Sequence, residues 1–222
     1  MDVIPWVDAG VIVVLFTAII KLILFPLSKK AVNTQIQMKA VEPELAEIKE
    51  KYKNDKQELA RKTMDLYKEK GIRPFTSVLL VFIQLPIIFA LYRVFWHSGL
   101  PTVNTDILYS FVHVPESINM MFLGLINISL KSKILAVLVG LSAYLQARIV
   151  TPKPVPKKDT NPNDNSFKHD FARSMSIQMR YVFPIIAVFI SYGISAAISL
   201  YWITSNIFTI GQELFLKRKL KR

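Results

Sequence analysis

Residues 181–210 read YVFPIIAVFISYGISAAISLYWITSNIFTI and contain no charged residue. A helix rises about 1.5 Å per residue, so this run would be about 45 Å long as one helix, whereas the hydrocarbon core of a membrane is about 30 Å thick. Small residues from Gly193 to Ala197 lie between two aromatic-rich halves, and the sequence predicts that the chain turns back there. The run therefore predicts two membrane spans, at about 178–193 and 196–215.

Three further apolar stretches approach the roughly 20 residues that a helix needs to cross a membrane. They lie at about 9–27, 75–96 and 134–150. Residues 107–130 are also apolar, but Pro115 and Glu116 interrupt them, so we assign them to an external loop over 97–131 that can touch the membrane surface. The predicted fold class is an all-α integral membrane protein with five transmembrane helices, in a single domain over residues 1–222.

The distribution of Lys and Arg predicts the orientation. Of the 28 basic residues, 24 lie in three segments, 29–73, 148–180 and the tail 217–222. Loops on the cytoplasmic side are enriched in these residues, and five spans place all three segments on one face, whereas four would put the tail on the other. We therefore expect the amino terminus outside and the carboxyl terminus in the cytoplasm. The tail is interpreted as a topology anchor, with ribosome contact as the alternative.

The net charge of +12 accompanies a chain that is 52% hydrophobic. A basic protein can bind nucleic acid, but these basic residues flank apolar runs instead of covering one folded face. No specific nucleic-acid binding is predicted.

One cytoplasmic segment has the pattern of packed helices. Four apolar residues in it recur at i, i+4, i+7 and i+11, the spacing of an amphipathic helix; they are Val41, Leu45, Ile48 and Tyr52. Asn54 and Asp55 mark a turn. The sequence predicts a cytoplasmic helical hairpin over 31–72, between spans one and two. Residues 151–177 are rich in Pro, Asn and Lys and predict a cytoplasmic loop.

A lysine lies inside the first predicted span. Lys21 sits about two-thirds of the way along it, where a charged side chain costs roughly 2.5–3.5 kcal/mol. Such a residue faces protein or water, or extends its ammonium toward the headgroups. We expect no acidic residue within the five spans, so that Lys21 has no carboxylate partner there and its charge attracts an anionic ligand.

Polar residues recur at helical spacing in the other spans. Thr17 shares a face with Lys21 in span one, and Ser142 and Gln146 share a face in span three. Span five carries a stripe formed by Ser195, Ser199, Trp202, Asn206 and Thr209. Hydrogen bonding within a dry bundle explains any one of these residues. Together with the lysine, they favour a shared water-accessible cavity.

Sequence motifs of catalysis and metal binding are absent. The chain has no cysteine, its three histidines are scattered, and it contains neither an HExxH motif nor a glycine-rich phosphate loop. We predict that it is not an enzyme and uses no cofactor or metal.

Four motifs give the sequence a family resemblance. IIKLILFPL at 19–27, IQLPIIFALYRVF at 83–95, LSAYLQ at 141–146 and LYWITSNIFTIGQ at 200–212 follow in order. This pattern resembles the core of the YidC/Oxa membrane insertases over nearly the whole chain. The resemblance implies a five-helix bundle in the bacterial inner membrane, with a hydrophilic groove open to the cytoplasm and the lipid. The cytoplasmic hairpin would receive nascent membrane proteins, and the ribosome, the Sec translocon and the lipid bilayer are the implied partners.

The resemblance also implies which residues form the groove. Lys21 stands where many family members have Arg, and Gln146 and Trp202 match groove residues. The full expected set is Lys21, Gln84, Gln146, Trp202, Asn206, Thr17 and Ser199. One departure is that the Pro-x-Gly turn of the family before span five is replaced by Ser195, Ala196 and Ala197.

A second function stays open from the residues alone. A small anion or solute transporter could also use Lys21 to bind its substrate. However, the two halves of the chain show no inverted repeat, and no span is broken by paired glycines.

Overall fold

The computed structural model describes residues 8–73, 76–97, 118–150 and 177–220. Within these ranges the chain is mostly helical, and a π-helical turn, Gln178–Val182, precedes α7. The elements are α1 Ala9–Ile23, α2 Phe25–Ala40, α3 Glu42–Lys51, α4 Lys56–Glu69, α5 Thr76–His97, β1 Met121–Phe122, β2 Ile126–Asn127, α6 Lys133–Val150, α7 Phe183–Gly193 and α8 Ala196–Leu220.

The chain forms two compact units. The first comprises Met1–Leu22 and Ile88–Leu214, and the second comprises Ile23–Ile87 and Phe215–Arg222. The predicted loop 151–177 lies outside the described residues except for its last position, and so do residues 98–117 of the predicted external loop.

The first predicted span is interrupted. Helix α1 ends at Ile23, and α2 begins at Phe25 with Pro26 in its first turn. Proline has no backbone N–H, so Pro26 cannot donate to the carbonyl of Leu22 as an unbroken helix would require. The predicted span 9–27 therefore contains two helices, and a helical projection cannot be carried through Leu24 to the residues beyond it.

By length and composition, one described helix is long and apolar enough to cross a membrane, namely α6. A second candidate results if α1 and α2 are counted together as one broken span. The count of five spans therefore stays a prediction.

Close helix packing organises the first unit around α6 and α7. A Cβ at Gly140 would overlap the side chain of Val188 and come within 3.2 Å of the carbonyl oxygen of Pro184. Only glycine lets the two backbones approach this closely. A buried apolar cluster of Val139, Ala143 and Ala187 forms beside it.

The chain reverses between Gly193 and Ala196, in the interval where the sequence predicts a break. The first N–H groups of a helix have no partner inside it. Here the N–H groups of Ala196 and Ala197 donate to the carbonyls of Leu130 and Ile128, at 2.8 and 2.9 Å. The turn is thus stabilised by residues 128–130, which are distant in sequence, and not by a Pro-x-Gly sequence.

That segment is part of a small antiparallel hairpin, β1–β2, within the predicted external loop. The carboxylate of Asp8 accepts hydrogen bonds from the N–H groups of Val11 and Leu123, at 2.8 and 2.9 Å. Asp8 therefore caps α1 and ties it to the turn of the hairpin. The ring of Phe122 lies directly against Gly10, where any Cβ would overlap it.

In the second unit, helices α3 and α4 pack together through a core of Val41, Leu66 and Ile72. Asp55 caps α4 by accepting from the N–H groups of Gln57 and Glu58, both at 3.0 Å. The Lys70 ammonium lies 2.8 Å from a carboxylate oxygen of Glu44, and this hydrogen bond raises the pKa of Lys70. Helix α2 precedes the pair, so the predicted hairpin segment 31–72 holds the end of one helix and two complete ones.

Candidate functional site

Lys21 lies on the same face of α1 as its buried residues. Gly10, Val13 and Thr17 are the buried positions of the helix, and Lys21 follows Thr17 by four residues. Its side chain is half-buried, and its ammonium donates a hydrogen bond to the hydroxyl of Thr209 on α8, at 3.1 Å. The structure therefore brings together the predicted cation and the last residue of the predicted polar stripe.

Helix α8 orients both partners of this contact. The Thr209 hydroxyl donates to the carbonyl of Ser205 at 2.8 Å, which leaves its oxygen to accept from the ammonium. One turn later, the buried side-chain amide of Gln212 donates to the backbone carbonyl of Lys21 at 3.1 Å. That carbonyl lies in the last turn of α1, where carbonyls lack intrahelical partners. Lys21, Thr209 and Gln212 form what we call the lysine site.

Gln212 and Ser205 are absent from the predicted groove set and from the predicted stripe, and Thr209 is in the stripe alone. Gln212 and Ser205 are both buried on α8. Their sequence signal was available, because Ser205, Thr209 and Gln212 recur at i, i+4 and i+7, the spacing of one helix face. The predicted stripe instead followed a neighbouring face through Asn206.

Thr17 does not present its hydroxyl to a cavity. The residue is completely buried, and its hydroxyl donates to the carbonyl of Val13 in the same helix at 2.6 Å. Thr17 therefore shares the face of Lys21, as predicted, but its polar group is satisfied within α1.

Two other predicted groove residues form hydrogen bonds between helices. The hydroxyls of Ser199 and Ser191 lie 2.7 Å apart across the α7–α8 turn, and both residues are buried. The side-chain amide of Asn206 donates to the hydroxyl of Ser142 on α6 at 3.0 Å, also buried. These contacts match the alternative interpretation, interhelical bonding in a dry bundle.

The remaining predicted residues are half-buried. Trp202 packs on the apolar cluster of Val139, Ala143 and Ala187, and Gln146 lies on α6 one turn after Ser142. Gln84 lies on α5 in the second unit. Within the first unit, Lys21, Ser199 and Asn206 thus form hydrogen bonds with different partners.

One acidic residue bears on the expectation that the spans contain no carboxylate. Glu213, which lies inside the predicted fifth span, is 3% exposed and follows Gln212 of the lysine site. The expectation of a bundle free of carboxylates was therefore wrong. Among the described residues, the ammonium of Lys21 nevertheless forms its hydrogen bond with a neutral hydroxyl.

Large apolar side chains cover the outer faces of the same helices. Burying apolar surface is the main driving force for folding in water, so extensive exposed patches mark contact with lipid or with a partner. The most exposed examples are Ile23 on α1, Phe89 on α5, Ile134 on α6, Phe189 on α7 and Ile207 on α8. This surface is suited to a hydrocarbon environment around a site with polar groups inside.

No metal site is formed by the part of the chain that the structure describes. It contains no group of three or more His, Cys, Asp or Glu residues placed to hold an ion.

Comparison with known proteins identifies the family. The family model of the 60Kd inner membrane protein matches residues 3–222. A membrane protein insertase YidC of Fusobacterium nucleatum is 32% identical over 210 residues, which cover 95% of this chain and 86% of the relative. The YidC of Clostridium tetani is 34% identical over 215 residues, covering 96% and 84%. A longer YidC, from Wolinella succinogenes, is 30% identical, and the matching region covers 34% of its length.

The match extends over nearly the full chain and over most of two relatives. The four motifs quoted from the sequence lie inside it. The chain therefore belongs to the 60Kd inner membrane protein family, the YidC/Oxa family of helical membrane proteins.

Proposed function

We propose that the chain is a membrane protein insertase, which receives nascent membrane proteins and releases them into the bilayer without covalent chemistry. The names of its relatives support this function. The observation that carries it is the lysine site, a half-buried cation bonded to a neutral hydroxyl between helices with lipid-compatible outer faces.

The chemistry of this site suits a transient anionic ligand. A lysine ammonium has three N–H donors. The contact with Thr209 uses one of them. Attraction between opposite charges is strong where the dielectric is low. An acidic segment of a client would therefore be drawn to Lys21 and released once it reached water on the far side.

A polar pocket also shortens the distance that the polar residues of a client must travel through hydrocarbon. Each unsatisfied polar group in hydrocarbon costs several kcal/mol. A groove with Lys21 and Gln146 on its walls would solvate the polar flank of a client for part of the crossing. We propose this role for these two half-buried residues of the first unit. Ser199 and Asn206 would instead hold the helices together, and the Thr17 hydroxyl would stay bonded within α1.

The topology we propose has five spans, with the amino terminus outside and the tail 217–222 in the cytoplasm of a bacterial cell. The basic segments support it through their distribution. In this arrangement the α3–α4 pair projects into the cytoplasm and makes the first contact with clients. The ribosome and the Sec translocon are the partners that would deliver them.

The test varies the charge at Lys21 and the charge of the client. Insertion is measured in reconstituted vesicles for two clients that differ only in an acidic or a neutral translocated tail. Lys21→Arg should retain insertion of both. Lys21→Ala should slow the acidic client about tenfold, the effect of losing roughly 1.4 kcal/mol of attraction, and Lys21→Glu should slow it further.

Lys39→Ala is the matched control, because it removes an exposed lysine on α2 outside the site. It should leave both clients unaffected. Equal insertion of the acidic client by Lys21→Ala and by the unaltered protein would show that the cation does not act on clients. Solute flux through the same vesicles, abolished by Lys21→Ala, would instead support a transporter.

A further inference from the structure

The β1–β2 hairpin exposes leucines at its tip. Leu125 is 79% exposed, Leu123 is 63% exposed, and Leu130 at the end of the hairpin is 63% exposed. Neighbouring Ile128 is completely buried, so the hairpin has an inner side packed on the protein and an outer side that is apolar. An exposed apolar surface of this kind marks contact with another phase or molecule.

The tip is held in place by hydrogen bonds. Asp8 binds the N–H of Leu123, and the side chain of Asn119 binds the N–H of Met121 at 2.9 Å. The carbonyls of Ile128 and Leu130 receive the N–H groups that begin α8. The exposed leucines are therefore presented by a fixed turn.

The backbone conformation of Leu123 is unusual for a leucine. Its φ is 51°, in the left-handed region that bulky residues rarely adopt. Glycine or asparagine would take this conformation more easily. A leucine at such a position, with its side chain mostly exposed, indicates that the side chain serves a contact outside the folded chain.

The surroundings have the composition of a surface that contacts phospholipid. The hairpin joins the first residues of α1 and α8, and α6 begins three residues after Leu130. Ile134 and Val137, on the first turns of α6, continue the exposed apolar surface. Two exposed lysines, Lys131 and Lys133, lie between them and the hairpin. Apolar residues beside lysines are the composition of segments that lie in the headgroup region of a membrane.

We propose that residues 121–133 form an interfacial anchor, in which Leu123 and Leu125 enter the acyl boundary of a phospholipid leaflet and Lys131 and Lys133 bind anionic headgroups. In the proposed topology this is the outer leaflet. The anchor fixes the depth of the helix ends joined by the hairpin. It involves no client, so its test is independent of insertase activity.

The experiment uses the full-length protein in lipid nanodiscs, which leave both membrane faces open to solvent. Because the chain has no cysteine, Leu125→Cys gives one attachment point for an apolar bimane fluorophore. The control label is at Asn54→Cys, in the exposed turn between α3 and α4. We expect iodide to quench the label at 125 about threefold less than the label at 54, and brominated lipid to quench only the former. Strong iodide quenching at 125 without lipid quenching would overturn the proposal.

Two further variants separate the apolar and the basic contributions. Leu123→Asn keeps a residue suited to the left-handed backbone but removes the apolar side chain. It should raise iodide quenching of the label at 125 at least about twofold. Replacing phosphatidylcholine by phosphatidylglycerol should move the label at 125 deeper into the membrane. The double variant Lys131→Gln with Lys133→Gln should abolish that deepening. Unchanged quenching in Leu123→Asn would show that Leu123 makes no apolar contact with lipid. A deepening that survives both lysine substitutions would show that Lys131 and Lys133 do not bind the headgroups.

Discussion

The hydrogen bond between Asn206 and Ser142 allows a direct test of whether polar residues in the bundle line a groove or join helices. The Asn206 amide donates to the Ser142 hydroxyl at 3.0 Å, and that hydroxyl donates onward to the carbonyl of Val139 at 2.9 Å. The perturbation is a double-mutant cycle of Asn206→Ala, Ser142→Ala and the two combined. Only a cycle isolates the energy of the pair from the effects of each truncation.

The two single variants should differ in their consequences. After Asn206→Ala, the Ser142 hydroxyl keeps its hydrogen bond to the carbonyl of Val139. The variant loses only the hydrogen bond that Ser142 accepted from Asn206 and the packing of the Asn206 side chain. After Ser142→Ala, the buried Asn206 amide loses its acceptor, which costs about 1–3 kcal/mol. The coupling between the two changes should be about 0.6 kcal/mol and at most about 1.7 kcal/mol, the range for hydrogen bonds between membrane helices.

The assay is reversible unfolding in mixed micelles, followed by circular dichroism, with client insertion measured on the same variants. We expect a positive coupling energy, together with insertion that falls only in proportion to the folded fraction. Additive single effects, combined with a loss of insertion in fully folded variants, would refute the reasoning. Asn206 would then act on clients, as the sequence first suggested.

Two further predictions concern packing and topology. Gly140→Ala should destabilise the protein by about 1–3 kcal/mol, because the new methyl group overlaps Val188 and crowds the carbonyl of Pro184; Gly193→Ala, with nothing within 4 Å of its Cβ, is the control in the same unfolding assay. For topology, an impermeant thiol reagent added outside intact cells should label Gly193→Cys but not Asn54→Cys. Protection of position 193 or labelling of position 54 would contradict the five-span arrangement.

The resemblance to the family could be read from local sequence, because it rests on short motifs of consecutive residues. The family match over residues 3–222 confirms it. The site was harder to predict. Lys21 was identified because a charge in an apolar run is conspicuous in one dimension. Its partners Thr209 and Gln212 lie almost the whole chain away, and no local pattern specifies which face of α8 meets α1.

Small errors of helical phase also affected the site prediction. Ser205 and Asn206 are adjacent in sequence, yet about 100° separates their directions on a helix. The predicted stripe passes through Asn206, which bonds Ser142 on α6, and it reaches Lys21 only at its last residue, Thr209.

The sequence by itself determined that the chain is a helical membrane protein of this family, that its charges are segregated, and that Lys21 lies among apolar residues. Those properties depend on composition and on the order of neighbouring residues. Only the tertiary structure decided which polar groups satisfy one another. It buried Thr17, Ser199 and Asn206 in hydrogen bonds and placed Lys21 against Thr209, because a buried polar group is satisfied by whichever partner packing brings within about 3 Å of it.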